Sequence, residues 1–367
     1  MWMKSRGWKS LHNSGLEDCA PFVSVVVPTY NEEDTIVHKL KNLIEQDYLS
    51  MEIIVVDGAS EDRTVELIKK FVEDHDLDMK LIMEEERRGK ASALNDAFKH
   101  CSGEIVVLTD SDATFEKGTV AKIVNNFDDV MIGAVTGRLV IVNADQTSVT
   151  KLEKSYRGIF GILRRGESTL DSTPIFNGPI SAFRRELLID ELESNTIADD
   201  TELSLQIREK GYRAVYDPET IAYEYTPVTL RSRVEQKRRR GQGIIQSFVR
   251  HHRMMFNSRY GKFGTVIFPA EFFMHLVSPI LLFVFLILFP FSLVFMNNYM
   301  LISLIITLMF AFVALIIMKI SVVSFISNFL DSQFILLLSL IYHILGKSQH
   351  KWRKISEIRG IMKKKHH

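Results

Sequence analysis

Two aspartates flank a serine in Asp110-Ser111-Asp112, directly after a short apolar run. Carboxylates so spaced reach one hard divalent cation, Mg2+ or Mn2+, and a cation there neutralises a diphosphate. The same residues equally make a solvated turn, where Asp and Ser are common. Gly89-Lys90, ahead of a helical stretch, is a second anion feature, because a lysine and free helix amides converge on phosphate. Asp57 ends another apolar run and is placed to accept a hydrogen bond from a base, whereas Ser60, Glu61 and Asp62 cap and charge-complement the next helix. On their own, Asp199 and Asp200 are caps for a helix over Thr201 to Lys210. Arg238, Arg239 and Arg240 form a basic cluster of the kind drawn to anionic lipid, at about 1 kcal/mol per charge.

The elements that must position these groups follow from periodicity. Strands are expected at Val23 to Val27, Glu52 to Val56, Leu81 to Met83 and Glu104 to Leu108, with helices at Glu32 to Glu45, Arg63 to Glu73 and Ala91 to His100. Short β-branched runs alternating with amphipathic stretches predict an α/β nucleotide-binding domain, a mostly parallel sheet flanked by helices. In such sheets ligands sit beyond the carboxyl ends of the strands. Pro28-Thr29-Tyr30-Asn31-Glu32, Asp57-Gly58-Ala59-Ser60 and Thr109-Asp110-Ser111-Asp112 all fall there.

The chain has 367 residues with 45 basic and 45 acidic side chains, room for one catalytic domain and a second region. From Thr265 to Leu345 the formal charges are Glu271, Lys319 and Asp331 alone, the composition of membrane helices. Three apolar runs, 265 to 296, 299 to 319 and 322 to 346, predict a C-terminal α-helical transmembrane region of two to four spans. The third carries Ser324, Ser327, Asn328, Asp331 and Gln333, and is either a polar-faced span or an interfacial helix. Basic residues crowd both flanks, which places both in the cytosol and favours an even number of crossings; lipid and topology account for this charge without nucleic acid. Met1 to Ala20 lacks an apolar signal segment. The expected order is an N-terminal tail (1–20), a cytosolic catalytic domain (21–245), a basic interfacial segment (246–264), transmembrane helices (265–346) and a basic cytosolic tail (347–367). Cys19 and Cys101 lack metal-ligand spacing and are expected as free thiols.

Val26-Val27-Pro28-Thr29-Tyr30-Asn31-Glu32, Val55-Val56-Asp57-Gly58-Ala59-Ser60, Gly89-Lys90-Ala91-Ser92-Ala93-Leu94-Asn95 and Asp110-Ser111-Asp112 occur in one order over a single domain. In these motifs the sequence resembles the inverting family-2 glycosyltransferases, the group of membrane-bound cellulose, hyaluronan and poly-N-acetylglucosamine synthases, from about Phe22 to Gly243. The resemblance implies a GT-A fold, a nucleotide-sugar donor and a Mg2+ or Mn2+ cofactor held by Asp110 and Asp112. It implies a donor pocket of Pro28, Thr29, Tyr30, Glu32 and Asp57, with UDP as the default nucleotide, and an acceptor side at Asn177, Gly178 and Arg240. Ala198-Asp199-Asp200 falls on the family's Thr-Glu-Asp motif, which makes Asp200 the catalytic base. Gln236-Lys237-Arg238-Arg239-Arg240 resembles Gln-x-x-Arg-Trp, so that Gln236, Arg239 and Lys90 face the diphosphate.

Arg240 replaces the family's tryptophan, the aromatic platform of a growing chain. That departure, with the short membrane block, favours transfer of one or a few sugars to a lipid-linked glycan acceptor over processive polysaccharide synthesis. Sugar-nucleotide synthesis on a related fold would need neither an acceptor base nor an anchor. A non-catalytic nucleotide-sugar sensor or scaffold would have no use for Asp110, Asp112 and Asp200 together. The expected setting is the cell membrane, multi-pass, beside membrane lipids.

Overall fold

The computed structural model describes residues 20–75, 79–295, 303, 321–347 and 358–359. Its first half holds strands β1 (Val23–Thr29), β2 (Met51–Asp57), β3 (Met79–Met83) and β4 (Ile105–Leu108), joined by helices α1 (Ile36–Ile44), α2 (Thr64–His75) and α3 (Lys90–His100). Val23, Val25, Val26 and Val27 are fully buried because β1 is covered on both faces, the condition under which strands become continuous hydrophobic runs. It pairs in parallel with β2 and with β4. The sheet therefore grows in opposite directions from β1, and the crevice outside its carboxyl end is the place where such sheets bind ligands.

Helix α1 starts later than its periodicity predicts. Asn31 is left-handed, with φ of 55°, and the Glu32 amide donates to Thr64 Oγ1 at 2.7 Å, so the first expected turn is instead a loop tied to the start of α2.

The second half adds β5 (Thr114–Phe115), α4 (Thr119–Asn125), β6 (Ile132–Ile141), α5 (Ser148–Leu170), β7 (Ser181–Arg184), α6 (Asp199–Glu209), β8 (Arg213–Glu224) and α7 (Leu230–Arg250). The result is an eight-stranded mixed sheet in the order β3-β2-β1-β4-β7-β6-β8-β5. Antiparallel β7 sits between β4 and β6 and carries the acceptor-side loop against the Asp110 loop. Val25, Val27, Leu40 and Leu43 pack on one face of the sheet, and Val26, Leu94, Phe183 and Leu203 on the other.

Beyond α7, short π-helical segments at Phe263–Ile267 and Phe273–Val277 bracket α8 (Phe268–Phe272) and lead into α9 (Ser278–Phe295). Phe263–Phe289 is one 27-residue helical stretch, long and apolar enough to cross a membrane. The run expected at 299–319 lies outside the described residues except for Ser303. Helix α10 (Ser321–Ile344) packs along α7, with Ser339 Oγ donating to the Arg238 carbonyl at 3.0 Å and Asp331 paired to Arg233 at 2.8 Å. Close approach is permitted by Gly241, whose absent Cβ would lie 2.7 Å from Ser339 Oγ.

Helix α7 continues through position 245, and the segment after it turns part of its apolar content inward. Phe248 and Met254 are fully buried with Leu205, Phe263 and Phe268, while Phe256 is 75% exposed. Cys101 is a buried free thiol, pushed up to about 12 by burial; Cys19 lies outside the described residues.

Candidate active site

A cavity of about 550 Å³ opens at the carboxyl ends of β1 and β4 and extends between α5 and α7 to Met274, Phe329 and Leu336 of the C-terminal helices. At its sheet end the β1 and β2 loops lock together: the Asn31 amide donates to Ser60 Oγ at 2.8 Å and the Glu61 amide to Asn31 Oδ1 at 2.7 Å. Pro28, Thr29, Tyr30, Gly58, Glu84 and Arg87 form the wall, with the Arg87 guanidinium 3.8 Å from the centroid of the Tyr30 ring. Asp57 is placed differently from the sequence expectation. Its carboxylate accepts from Thr29 Oγ1, the Ser60 amide and Ser60 Oγ, so it holds the loop together and is not among the residues lining the cavity.

The Asp110 loop is fixed from below by a residue the motifs did not reveal. Lys39, fully buried on α1, donates to Thr109 Oγ1 at 2.6 Å and to the Ala113 carbonyl at 2.9 Å. Burial lowers its pKa to about 7, against the attraction of Asp110 and Asp112. Its position among Ile36, Leu40 and Leu43, on the buried face of α1, was the available signal. Thr109 Oγ1 also donates to the Pro179 carbonyl at 2.9 Å, which ties this loop to Asn177-Gly178-Pro179. Asn177 is in turn held by Gly137, Thr136 and Arg164.

Lys90 begins α3 and reaches Asp110 Oδ1 at 2.9 Å and Asp199 Oδ2 at 3.1 Å. Burial works against its charge, but Asp110 and Asp199 outweigh burial and raise its pKa. Asp110 is likewise buried, yet Lys90 holds its carboxyl below the usual range. A Cβ on Gly178 would stand 3.5 Å from Asp200 Oδ2, 3.6 Å from Asp110 Oδ2 and 3.6 Å from Lys90 Nζ. These groups therefore share one side of the cavity, and a side chain at 178 would intrude among them.

Asp199 and Asp200 occupy the first turn of α6, not its cap: the N-cap is Ala198, which has no side-chain cap bond. Asp200 is raised to about 6, first by burial and then by the neighbouring Asp199. Helix α7 presses on this turn, since a Cβ on Gly243 would lie 2.7 Å from Ala198 Cβ. The same helix brings Gln236, Arg239 and Arg240 to the cavity. Arg239 makes no hydrogen bond or ion pair among the described residues; burial and then the neighbouring Arg240 lower its pKa, against the attraction of Asp110, Asp199 and Asp200. Arg240 lies 3.8 Å from Glu224, which also pairs with Arg157.

Two further contributions come from elements without a motif. Tyr156, Phe160 and Arg164, one turn apart on α5, line the cavity. From the far end of the chain, Arg359 pairs with buried Glu32 at 2.5 Å and with Asp112 Oδ2 at 3.2 Å. No group of three or more His, Cys, Asp or Glu side chains suited to a metal occurs among the described residues. A general base beside a cluster of cations is the chemistry of group transfer from an anionic leaving group to a hydroxyl.

Comparison with known proteins gives this arrangement its class. The family model Glycosyl transferase family 2 matches residues 24–192. The mannosyltransferase PcManGT from Pyrobaculum calidifontis, whose structure holds GDP-Man and Mn2+, is 32% identical with a TM-score of 0.74, covering 89% of this chain and 88% of that one. Poly-beta-1,6-N-acetyl-D-glucosamine synthase of Staphylococcus aureus (strain MSSA476) is 29% identical over 224 residues, 60% of this chain and 54% of that protein, so the chain spans about half the length of the curated relatives it matches. GalNAc-T7, at 14% identity and a TM-score of 0.50, shares the fold. The protein is a glycosyltransferase with a GT-A-like α/β domain. It belongs to glycosyl transferase family 2.

Proposed function

We propose that the protein is a membrane-seated inverting transferase that moves a sugar from a nucleotide-diphosphate sugar to a hydroxyl of a lipid-linked glycan. The observation that carries this reading is the convergence of Asp110, Lys90 and Asp200 around Gly178, in a cavity that continues to the apolar helices. Asp200 takes the proton of the acceptor hydroxyl as that oxygen attacks the anomeric carbon, and the nucleoside diphosphate departs from the opposite face. Lys90 and Arg239 hold the charge of the departing diphosphate, with Gln236 beside them, and Asp199 keeps Lys90 in place. Thr29, Tyr30 and Glu32 belong to the nucleotide end; Asn177, Gly178 and Arg240 face the acceptor.

Asp110 and Asp112 fit a divalent cation. They are hard oxygen donors, and each is already paired to a positive side chain, Lys90 or Arg359. Two carboxylates completed by phosphate and water are a usual setting for Mg2+, and Mg2+ or Mn2+, when bound, supplies Lewis-acid neutralisation of the diphosphate.

PcManGT was solved with GDP-Man, so GDP-mannose stands beside UDP sugars as a donor to test. The apolar surface of Phe263–Phe289, where Phe283, Phe285 and Leu286 are exposed, supports insertion in a bilayer. The chain is read as a catalytic domain carried to the end of α7 at Arg250, an interfacial segment, multi-pass helices that begin at Phe263 and a basic tail, with the catalytic domain in the cytosol.

The test is incubation of detergent-solubilised protein and native lipid extract with GDP- and UDP-sugars and Mn2+ or Mg2+, following nucleoside diphosphate release and sugar incorporation. Sugar in a small lipid product is expected. Sugar in a long polymer would make the protein a processive synthase, and donor binding without turnover on any lipid fraction would make it a sensor.

A further inference from the structure

Glu84 directly follows β3 and lines the cavity at the end formed by Pro28, Thr29, Tyr30 and Gly58. Its side chain is 1% exposed. One oxygen is taken by Arg88, which donates to Oε1 at 2.7 Å. The other, Oε2, is enclosed without a hydrogen-bond partner among the described residues. Burying a carboxylate oxygen without a donor costs free energy, which a hydrogen bond from a ligand or water offsets.

Two neighbours show what would fill it. A Cβ on Gly58 would stand 3.4 Å from Glu84 Oε2 and 3.4 Å from the Thr29 carbonyl oxygen, so the free oxygen shares the end of the cavity where β1 and β2 finish. The Tyr30 ring with the Arg87 guanidinium stacked on it offers a flat aromatic and cationic surface there, suited to a planar base. Asp57 is already engaged by Thr29 and Ser60, and Glu84 offers an open acceptor at this end of the cavity among the described residues.

We infer that Glu84 reads the donor's base and selects guanine. This rests on the nucleotide-sugar reading above. A carboxylate only accepts hydrogen bonds. Guanine presents two adjacent donors, N1–H and the 2-amino group, on one edge. Uracil offers the open Oε2 a single N–H flanked by two carbonyl oxygens, whose lone pairs oppose the carboxylate's charge, whereas both guanine donors converge on that oxygen. Adenine sets its amino group beside a ring-nitrogen acceptor.

Titration of the full chain in detergent, with Mn2+ and GDP, IDP or UDP, tests the inference without any turnover. IDP keeps N1–H and lacks the 2-amino group. The wild type is expected to bind GDP more tightly than IDP and IDP more tightly than UDP. Glu84→Gln is expected to weaken GDP about tenfold to a hundredfold, the loss typical of one hydrogen bond to a charged group, and to leave UDP unchanged. UDP bound as tightly as GDP by the wild type would overturn the assignment even if the variant failed to fold, and so would an unchanged GDP-to-UDP ratio in a folded variant. A folded wild type that binds none of the three would defeat the donor reading itself.

Discussion

The general-base role proposed for Asp200 carries a measurable titration. Because burial and Asp199 raise it to about 6, the carboxylate form needed to accept a proton dominates only above that pH. The kcat/KM for transfer should therefore rise through pH 6 and level off above it. Asp200→Asn should abolish transfer while donor affinity, read by nucleotide titration, stays near that of the wild type; normal turnover in this variant would remove Asp200 as the base. Lys39 makes a separate prediction. It bridges Thr109 and Ala113 around the two aspartates, so Lys39→Met should leave buried acceptors without donors, at a cost of about 1–3 kcal/mol for each unsatisfied group. The expected result is a lower Tm together with a higher Mn2+ concentration for half-maximal donor binding, since the loop would lose its support.

Helix α7 joins the turn that carries Asp199 and Asp200 to the apolar helices, and its glycines mark both contacts. Gly243→Ala would drive a methyl group into Ala198, whose amide nitrogen would be 2.8 Å away. Overpacking of this kind costs about 1–3 kcal/mol, and here the strain falls on the turn that carries Asp199 and Asp200. Gly166→Ala on α5 meets nothing within 4 Å and should be neutral or stabilising by roughly 0.5–1 kcal/mol. Comparing Tm and kcat of the two variants separates a helix-propensity effect from a steric one. At the end of α7, His251 pairs with Glu202 and Glu209, each at 3.0 Å. Burial opposes its charge, but the two glutamates raise it from 6.5 to about 9. A raised folded-state pKa gives stability that is full below the unfolded value and is lost as pH rises through the folded one. The Tm difference between wild type and His251→Gln should accordingly be largest below about pH 6.5 and shrink toward pH 9; a difference that grew with pH would contradict the pairing.

At the scale of the molecule, residues far apart in the sequence meet at the candidate site. Arg359 lies 327 positions from Glu32 in sequence and pairs with both Glu32 and Asp112. A guanidinium on a carboxylate competes with a divalent cation for the same oxygen. Arg359→Ala should therefore lower the Mn2+ concentration needed for nucleotide binding, while loss of the ion pair to buried Glu32 should lower Tm. A weaker Mn2+ response would instead make Arg359 a direct ligand of the nucleotide. The comparison is made by titrating Mn2+ at fixed GDP, with Arg359→Lys as the conservative control.

Patterning in the sequence determined much of this. The buried valines of β1, the periodic faces of α2 and α3, and the polar loops at strand ends were all legible, because a strand covered on both faces and an amphipathic helix leave periods that survive in one dimension. Asp110, Asp112 and Asp200 were legible through motif order alone, since their local surroundings equally suit turns and caps. Antiparallel β7, the buried Lys39, the open oxygen of Glu84, the cavity face of α5 and the reach of Arg359 were decided only by tertiary structure. Each depends on which distant groups enclose a charge. Burial and pairing across tens or hundreds of residues set both its cost and its pKa, and no local spacing encodes that.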